Sequence, residues 1–292
     1  MIGDDSSMEE SISVVTVTRE RPTLLRRAMA SVYAQDFVGE IEHVIVIDDD
    51  PGALVVIDEA PTRPGLRIVT KMVRRPAREI DARPADRRSG YPRLARLLNI
   101  GARTCSTAWV AVLDDDNAYE PGHLSSLLEC AKANRARAVH SGRQLFWADG
   151  SPYLDEKWHT VEDLAEATRI YDLMCDRGVR VRGTNILLDR ADPISAASSF
   201  RPSSVVMPED PVFLVDENVW LLRRELLLEV PVPEIYSEED YQNNTAPDDK
   251  FLKELLIRRV PIYSTGQSTV RYYLGGMSNN RTRARGSTAS TG

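Results

Sequence analysis

The sequence predicts an α/β fold in which a mostly parallel, twisted sheet is flanked by helices. Runs rich in β-branched residues alternate with stretches of helical periodicity through the first half of the chain. A strand, a helix and a second strand follow one another within residues 11–50, which is typical of two parallel strands joined by a right-handed crossover. The second half is less regular, and we expect it to form a more irregular half of the same domain.

The composition is that of an ordinary soluble protein. Of the 292 residues, 42% are hydrophobic and 28% are charged, and the formal net charge is −7. This acidic balance argues against a nucleic-acid-binding protein, which is usually basic. No apolar run approaches the roughly 20 residues that span a bilayer, so we expect no membrane span.

The cysteines and the N-terminus favour a cytoplasmic location. Cys105, Cys130 and Cys175 form no CxxC pair, and free thiols persist in the reduced cytoplasm. The start of the chain, MIGDDSSMEES, is unlike a signal peptide. The four histidines form no HExxH motif, so we do not expect a zinc site built on histidine.

The alternation of strand and helix is clearest at the start of the chain. SISVVTVT, residues 11–18, has the β-branched content of a buried strand. The next helix begins near Pro22, where proline is tolerated. EHVIVIDDD, residues 42–50, is a second strand that ends in acids and in the turn residues Pro51 and Gly52. The apolar face of the helix consists of Leu24, Leu25, Ala28, Met29 and Val32.

Further elements are predicted on the same grounds. Residues 66–73 form a third strand, 93–105 a helix, and 109–113 a fourth strand that runs into three aspartates. The arginine-rich segment 74–92 has too few apolar residues for the core, and it is either a mobile loop or an ordered loop that contacts anions. The later predictions are a helix over 120–134, strand and turn over 135–158, a helix over 161–178, a strand over 181–190, a strand leading into a helix over 216–230, a helix over 246–260 and strands over 260–274.

Packing does not explain the two acidic strand ends, residues 48–50 and 114–116. Adjacent carboxylates repel each other and resist burial. The carboxyl ends of parallel strands meet at one edge of a sheet, where ligands bind. A divalent cation would relieve the repulsion in the second cluster. Carboxylate oxygens suit Mg²⁺ or Mn²⁺, and such sites usually share the metal with substrate phosphates.

The order of these motifs resembles that of the nucleotide-sugar-dependent glycosyltransferases of the GT-A fold, in particular family 2. The resemblance is carried by VVTVTRERPTLLRRAMASVYAQ, EHVIVIDDD and NIGARTCSTAWVAVLDDDN. It covers residues 12–125 well and extends more weakly to about residue 278. It implies a Rossmann-like GT-A sheet, with a nucleotide-sugar-binding half at 12–120 and an acceptor-binding and catalytic half at 121–275. Flexible tails are expected at residues 1–11 and 276–292.

The resemblance also implies the residues that bind the donor. Thr18, Arg19 and Glu20 match positions that contact the nucleotide base and ribose, although an aromatic residue is common where Arg19 stands. Asp48 matches the aspartate that accepts a hydrogen bond from the pyrimidine ring. Arg96 would add positive charge, and Arg74, Arg75 and Arg93 are further candidates.

The acids that follow the fourth predicted strand, residues 114–116, match the DxD motif of the family. The resemblance implies that Asp116 is a direct metal ligand and that Asp114 faces the ribose or a metal-bound water, with Asp115 in the variable position. Many relatives have a histidine near the place of Tyr273 or Leu274, and this chain has none there. We therefore expect Mg²⁺ or Mn²⁺ to be held by Asp116, the diphosphate and water.

A transferase of this kind needs a base, because an acceptor hydroxyl must lose a proton as it attacks the anomeric carbon. Inverting relatives use an aspartate from an acidic pair that opens a helix. Asp249 lies at a predicted helix start and is favoured, while Asp240, in the more family-like wording SEEDYQ, is the alternative. Asp240 is followed by QNNTAP, which is typical of a loop rather than a helix, and Asp249 could instead be an ordinary capping residue at a helix start.

Acceptor binding is expected between residues 140 and 240. Trp147 and Trp158 could stack on a ring, as could Tyr153 and Trp220, and Asp216 and Asn218 could orient acceptor hydroxyls or amines. We expect an inverting, metal-dependent enzyme that uses a UDP- or dTDP-sugar and a small soluble acceptor, as in antibiotic or other specialised metabolism. The alternatives are a nucleotide-binding protein of the same fold without transferase activity and a sugar nucleotidyltransferase.

Overall fold

The computed structural model describes residues 11–76, 87–194 and 207–275. It confirms the predicted α/β architecture, a curled and mostly parallel sheet flanked by helices. The tails predicted at 1–11 and 276–292 lie outside the described residues, except for Ser11, which begins the first strand. The middle of the arginine-rich segment, residues 77–86, lies outside them as well.

The elements are numbered here in chain order. The strands are β1 (Ser11–Thr18), β2 (Glu40–Asp48), β3 (Leu66–Val73), β4 (Trp109–Val112), β5 (Ala118–Tyr119), β6 (Ala138–Phe146), β7 (Ile186–Leu187), β8 (Arg190–Ala191), β9 (Phe213–Leu214), β10 (Trp220–Arg223) and β11 (Ile262–Tyr273). The helices are α1 (Pro22–Tyr33), α2 (Gly52–Asp58), α3 (Arg87–Thr104), α4 (His123–Asn134), α5 (Leu164–Asp176), α6 (Arg224–Glu229), α7 (Glu238–Gln242) and α8 (Pro247–Ile257).

The sheet topology explains why the two acidic strand ends meet. Within the described residues, the strands of the main sheet lie in the order β3-β2-β1-β4-β10-β6-β11-β5, with β7 paired to β6. β1 is parallel to both β2 and β4, so the carboxyl ends of these three strands lie at one edge. β10 is antiparallel to β4 and β6 and joins the two halves of the sheet. A second, small sheet pairs β8 with β9.

Three apolar clusters are found among the described residues, and the two larger ones bear on the site. The larger one packs α1, α3 and α4 against the sheet and includes Val15, Val46 and Trp109. The second lies under the irregular half, where Trp158 and Tyr153 are both 1% exposed. Burial on this scale is the main stabilising contribution in a domain of this size.

Helix α3 packs closely on β1 because it carries a glycine. A Cβ atom at Gly101 would lie 2.4 Å from Cγ1 of Val15, closer than any real contact. Two residues earlier, the Asn99 side chain donates to the carbonyl of Val232 (2.8 Å) and accepts from the Val232 amide (2.9 Å). The Asn-x-Gly pattern of this helix therefore joins three parts of the fold.

Several boundaries differ from the sequence predictions. Helix α3 begins at Arg87 rather than at residue 93, with Pro92 inside it. Proline cannot donate to the carbonyl four residues earlier, and the hydroxyl of Tyr241 donates to that carbonyl of Arg88 instead (3.1 Å). The sequence pattern did not indicate α2, for which Pro51 is the N-cap. The strand expected over 181–190 is reduced to β7 and the start of β8, because residues 181–184 form a turn with Gly183 at φ 71°.

None of the described helices combines the length and the apolar character needed to cross a bilayer.

Candidate functional site

A cavity of about 570 Å³ opens at the carboxyl ends of β1, β2 and β4. Residues from both halves of the chain line it. The lining contains most of the predicted site residues, which are Thr18, Arg19, Glu20, Asp48, Asp114, Asp115, Asp116, Trp158, Asp216 and Asp249.

The turn after β1 is held in an unusual conformation. Glu20 has a φ of 54°, in the left-handed region that side chains other than glycine rarely adopt. Its amide donates to the carboxylate of Asp50 (2.8 Å), which also accepts from the amide of Gly52 (3.0 Å). These bonds fix the turn against the start of α2 and direct Arg19 and Arg21 to the cavity wall.

Asp48, at the end of β2, is bound by two arginines. Arg93 of α3 donates to its Oδ1 from Nε (3.1 Å) and Nη2 (2.7 Å), and Arg75 donates to Oδ2 from Nε (2.9 Å) and Nη2. Asp48 is 3% and Arg93 7% exposed. Arg96, the arginine favoured from the sequence, lies about one turn after Arg93 on α3, is exposed and is not among the lining residues.

Arg21 is the cation that faces the acidic cluster after β4. Its Nη1 lies 3.1 Å from Asp115 Oδ1 and 3.0 Å from Asp116 Oδ2. Asp115 also accepts from the hydroxyl of Thr18 (2.8 Å), and Arg27 donates to the backbone carbonyl of Asp116. Arg21 therefore forms ion pairs with two of the three neighbouring carboxyl groups, and the cluster has fewer paired cations than acids.

The shortage of positive charge is visible in the pKa values of the cluster. Burial, followed by the charges of Asp116 and Asp216, raises the pKa of Asp114 to about 8. Burial also raises the pKa of Asp115 to about 6, against the opposing effect of Arg21. The pKa of Asp116 is raised too, chiefly by burial. Such shifts are expected where carboxyl groups lack a counter-ion.

Asn218 holds Asp114 from behind rather than facing the cavity. Its side chain donates to Asp114 Oδ2 (2.8 Å) and accepts from the Asp114 amide (2.6 Å), and it is 0% exposed. The side-chain amide of Asn218 also donates to Asp216 Oδ1 (2.7 Å). Asn218, expected at the acceptor, is therefore placed as a positioning residue for Asp114.

Asp216 belongs to a buried ion-pair network that adjoins Asp114, because the Asn218 side-chain amide donates to both carboxyl groups. Arg143 of β6 donates to Asp216 (2.5 Å) and to both oxygens of Asp189 (3.1 and 2.9 Å). Arg143 is 4% exposed and lines the cavity, whereas Asp189 lies behind it. Glu217, beside Asp216, lines the cavity, and its Oε2 has no hydrogen-bond partner in the described part of the chain.

The two base candidates lie in different surroundings. Asp249 lines the cavity at the start of α8 and accepts from the amide of Ala246 (3.0 Å). Burial raises its pKa to about 6. Asp240 caps α7 through Ser237 and pairs with Lys250 (2.6 Å), and these partners lower its pKa despite partial burial. Asp240 is not among the residues that line the cavity.

Of the two tryptophans expected at the acceptor, one lines the cavity. Trp158 does so, together with His159, Thr160 and Glu162 of the same loop. Trp147 instead packs edge-on against Tyr153, with the ring centroids 5.0 Å apart, in the second apolar cluster.

Sequence reasoning missed several lining residues, notably Arg21, Arg143, His159, Asp248 and Tyr272. A charged residue inside the otherwise uncharged stretch AVHSGRQLF was the available signal for Arg143. For Arg21 the available signal was its position just after the end of a predicted strand. His159 and Tyr272 had no signal, because their place at the cavity depends on tertiary contacts.

The residues present fit a hard divalent cation. Asp114 and Asp116 supply carboxylate oxygens, which Mg²⁺ and Mn²⁺ prefer, and their raised pKa values show that they lack a counter-ion. Among the described residues, no group of three or more His, Cys, Asp or Glu side chains could hold a metal alone. This donor set suits a cation that completes its coordination with substrate phosphates and water.

Comparison with known proteins gives one family and several structures of the same fold. Residues 13–187 match the family described as Glycosyl transferase family 2. The succinoglycan biosynthesis protein ExoW of Rhizobium meliloti (strain 1021) is 27% identical over 164 residues, which are 55% of this chain and 47% of ExoW. The chain therefore spans about half the length of this relative.

The similar solved structures include S. aureus TarS. Residues 1–349 of TarS superpose with a TM-score of 0.52 at 13% identity, over 90% of this chain and 60% of that one. The TarS structure in complex with UDP gives a TM-score of 0.52 at 12% identity, with the same coverage. At these identities the likeness shows the fold, and these neighbours share the GT-A architecture.

Proposed function

The chain belongs to glycosyltransferase family 2 and is a transferase, and we propose that it is an inverting, metal-dependent enzyme that moves a sugar from a UDP- or dTDP-sugar to an acceptor hydroxyl. The observation that carries this proposal is a single cavity that contains Asp48, the acids after β4 and Asp249. Family membership favours transfer over the alternatives of a non-catalytic nucleotide-binding protein and a sugar nucleotidyltransferase.

The nucleoside is proposed to bind at the end formed by β1, β2 and α3. Asp48 with Arg93 and Arg75 places a carboxylate and two guanidinium groups side by side, which suits the donor and acceptor edge of a pyrimidine. Thr18, Arg19 and Glu20 would contact the base and ribose. The TarS complex with UDP supports a uridine nucleotide here. Residues 12–120 would thus form the nucleotide-sugar-binding half and 121–275 the acceptor-binding and catalytic half.

The diphosphate is proposed to lie over the acids after β4. Asp116 and Asp114 would hold Mg²⁺ or Mn²⁺, which as a Lewis acid stabilises negative charge on the leaving diphosphate when bound. Arg21 contributes a fixed positive charge at the same place, 3.0 Å from Asp116. Asn218 keeps the Asp114 carboxylate oriented through the two bonds described above.

Asp249 is proposed as the base that accepts the acceptor proton. It lines the cavity and its pKa is raised to about 6, so it is a stronger base than an ordinary aspartate and is still ionised at neutral pH. Asp240 is a weaker base, because Lys250 and Ser237 lower its pKa. A direct displacement at the anomeric carbon by a hydroxyl that loses its proton to Asp249 inverts the configuration.

The acceptor is proposed to bind between Asp249 and the loop that carries Trp158. A cavity of about 570 Å³ lies within the range for small-molecule sites and suits a small soluble acceptor. Trp158 and Asp216 would contact it, and specialised metabolism such as antibiotic biosynthesis remains our proposal for its role. The thiols of Cys105, Cys130 and Cys175 form no disulfide, which supports a cytoplasmic location.

The metal and nucleotide roles are tested together by calorimetry. UDP and dTDP should bind the wild-type protein in the presence of Mn²⁺ and bind at least about 10-fold more weakly without it, because the cation links the diphosphate to the acids. Asp116→Ala should abolish this metal dependence. Asp58→Ala, at an exposed aspartate on α2, is the matched control and should bind as the wild type does. Equal, metal-independent binding by wild type and Asp116→Ala would refute the metal role.

The base is tested by a pair of aspartate variants. Asp249→Asn should lower kcat by roughly 10²- to 10⁴-fold, the usual contribution of a general base, while UDP–Mn²⁺ affinity stays unchanged. An asparagine oxygen can still accept from the Ala246 amide, so the helix start is preserved. Asp240→Asn should retain wild-type kcat and lose only some stability. Normal turnover by Asp249→Asn would show that another group is the base.

A further inference from the structure

The cavity is unevenly charged along its length. At the nucleoside end Asp48 is matched by two arginines. At the acceptor end the only arginine among the described lining residues is Arg143, and its guanidinium is already bonded to Asp189 and Asp216. The carboxyl groups that line this end are Glu162, Asp216, Glu217, Asp248 and Asp249.

The donor does not supply the positive charge that these carboxyl groups lack. A nucleoside diphosphate and a divalent cation carry opposite charges that largely cancel, and both are expected over Asp114 and Asp116 rather than beside Asp248. Any countercharge for the acceptor end must therefore come from the acceptor. Exposed Glu162, at the cavity mouth, extends the same negative field into solvent.

A second feature of this end independently favours a ligand with a ring and polar substituents. Trp158 lines the cavity and is 1% exposed, and its indole Nε1 has no hydrogen-bond partner in the described part of the chain. A buried donor without a partner costs free energy, which a ligand oxygen would recover. The Tyr272 ring at this end already has the guanidinium of Arg143 5.0 Å from its centroid, so this aromatic side chain is compatible with a nearby cation.

We propose that the acceptor is a polyol that carries a protonated amine, such as an amino sugar or an aminocyclitol, and that Glu162 and the carboxyl groups behind it select this charge. The inference rests on the proposed function, because it concerns the acceptor of the same reaction. An ammonium group offers three donors to side chains that can only accept when ionised. An anionic acceptor would meet like charges, and a neutral one would leave them uncompensated.

Three ligands with one ring and different charges test the proposal. Methyl glucosaminide is a cation at a pH of about 6, methyl N-acetylglucosaminide is neutral and methyl glucuronide is an anion. Their binding to the protein saturated with UDP and Mn²⁺ is measured by ligand-detected NMR. The amine should bind about 10-fold more tightly than the N-acetyl compound, and the glucuronide should bind most weakly. Raising the salt concentration from about 0.05 to about 0.5 M should reduce the difference.

A charge-removing variant ties the selectivity to the cavity. Glu162→Gln should reduce the advantage of the amine roughly 3-fold and leave the binding of the N-acetyl compound and of UDP–Mn²⁺ unchanged. Glu156→Gln, at an exposed glutamate of the same loop that does not line the cavity, should change nothing. Wild-type protein that binds UDP–Mn²⁺ but shows no preference for the amine, or does not bind it, overturns the inference. Failure to bind UDP–Mn²⁺ at all counts against the proposed function itself.

Discussion

At the acidic cluster after β4, Arg21 stands where the repulsion between Asp115 and Asp116 is greatest, within 3.1 Å of both. Its side chain is 33% exposed, so solvent weakens its effect on the two buried acids. The guanidinium bonds one oxygen of Asp116 and leaves the other for a further cation. Arg21 and a metal are therefore expected to share this cluster rather than to exclude each other.

Replacing Arg21 should show whether Arg21 and a metal share the acidic cluster. Arg21→Gln should lower the free energy of unfolding of the metal-free protein by about 1–2 kcal/mol, because it leaves buried acids without their cation and part of the loss is offset by solvent. Mn²⁺ should restore more stability to this variant than to the wild type. Urea unfolding with EDTA and with Mn²⁺ measures both effects.

Arg26 provides the matched control for this substitution. It lies on α1 and pairs with Glu59 on the exposed surface. Arg26→Gln should change the stability by less than about 1 kcal/mol, with no dependence on metal. Equal losses in the two variants, or a Mn²⁺ effect that is the same in both, would show that Arg21 is an ordinary surface residue.

The pKa of Asp249 predicts the pH dependence of turnover. Burial raises this pKa to about 6, and a base must be deprotonated before it can accept a proton. At saturating substrate, kcat should therefore increase as the pH rises through about 6 and become constant above it. Asp240→Asn should keep the same profile. A wild-type rate that is flat between pH values of about 5 and 7 would contradict the assignment.

At the scale of elements, the close packing of α3 on β1 is a feature that a single atom can test. Gly101→Ala would place a Cβ 2.4 Å from Val15 Cγ1, so the helix must move away from the strand. We expect a loss of about 1–3 kcal/mol, typical of overpacking. Because α3 carries Arg93, UDP affinity should also fall.

Gly122→Ala is the control for this prediction. A Cβ there would lie no nearer than 3.7 Å to another atom, at the N-cap of α4. Its loss should be below about 1 kcal/mol. Chemical unfolding and UDP titration of both variants give the comparison, and a Gly101→Ala protein with wild-type stability would show that α3 can relax without cost.

The elements also show which parts of the molecule a sequence can predict. β1, α1, β2 and β3 follow from local periodicity, and their predicted bounds agree with the structure to within two residues, because apolar faces repeat within each element. The start of α3 could not be predicted, since Pro92 is tolerated only through the distant hydroxyl of Tyr241. The short strands β7 and β8 could not be predicted either, because they form by pairing with β6 and β9, which lie elsewhere in the sequence.

The same distinction applies to the candidate site. The acidic strand ends were evident because carboxylates at the end of an apolar run have no structural reason to be there. Which arginine faces them was not evident, because Arg93 and Arg96 lie about one turn apart on the same helix and only tertiary packing buries the first and leaves the second exposed. Arg21 and Arg143 reach their partners across long stretches of chain. Sequence patterns therefore indicate which chemical groups a site contains more readily than they indicate which residues pair with those groups.

At the scale of the whole molecule, the acidic cavity should make stability depend on pH. Asp114 has a pKa raised from 3.8 to about 8. Between these values the native state keeps a proton that the unfolded chain has lost, so this group reduces stability as the pH rises through that window.

An isosteric variant that cannot ionise tests this effect. Asp114→Asn keeps an oxygen that can accept from Asn218 but cannot ionise. In EDTA, the variant should be more stable than the wild type by roughly 2 kcal/mol at a pH of about 9, and the difference should disappear at a pH of about 4. Thermal unfolding at both pH values is the measurement. A wild type that is the more stable protein at the higher pH would contradict the prediction.

Helix α3 connects two parts of the candidate site that are far apart in the sequence. In its middle, Arg93 bonds Asp48, where the nucleobase is proposed to bind, and six residues later Asn99 bonds Val232, from which the chain continues to Asp249. If Asp249 is the base, as proposed, the helix between these anchors sets the distance from nucleobase to base. The enzyme should therefore discriminate between donors by the distance from the nucleobase to the anomeric carbon. A nucleoside monophosphate sugar, which is one phosphate shorter, would leave its anomeric carbon out of reach of the attacking oxygen.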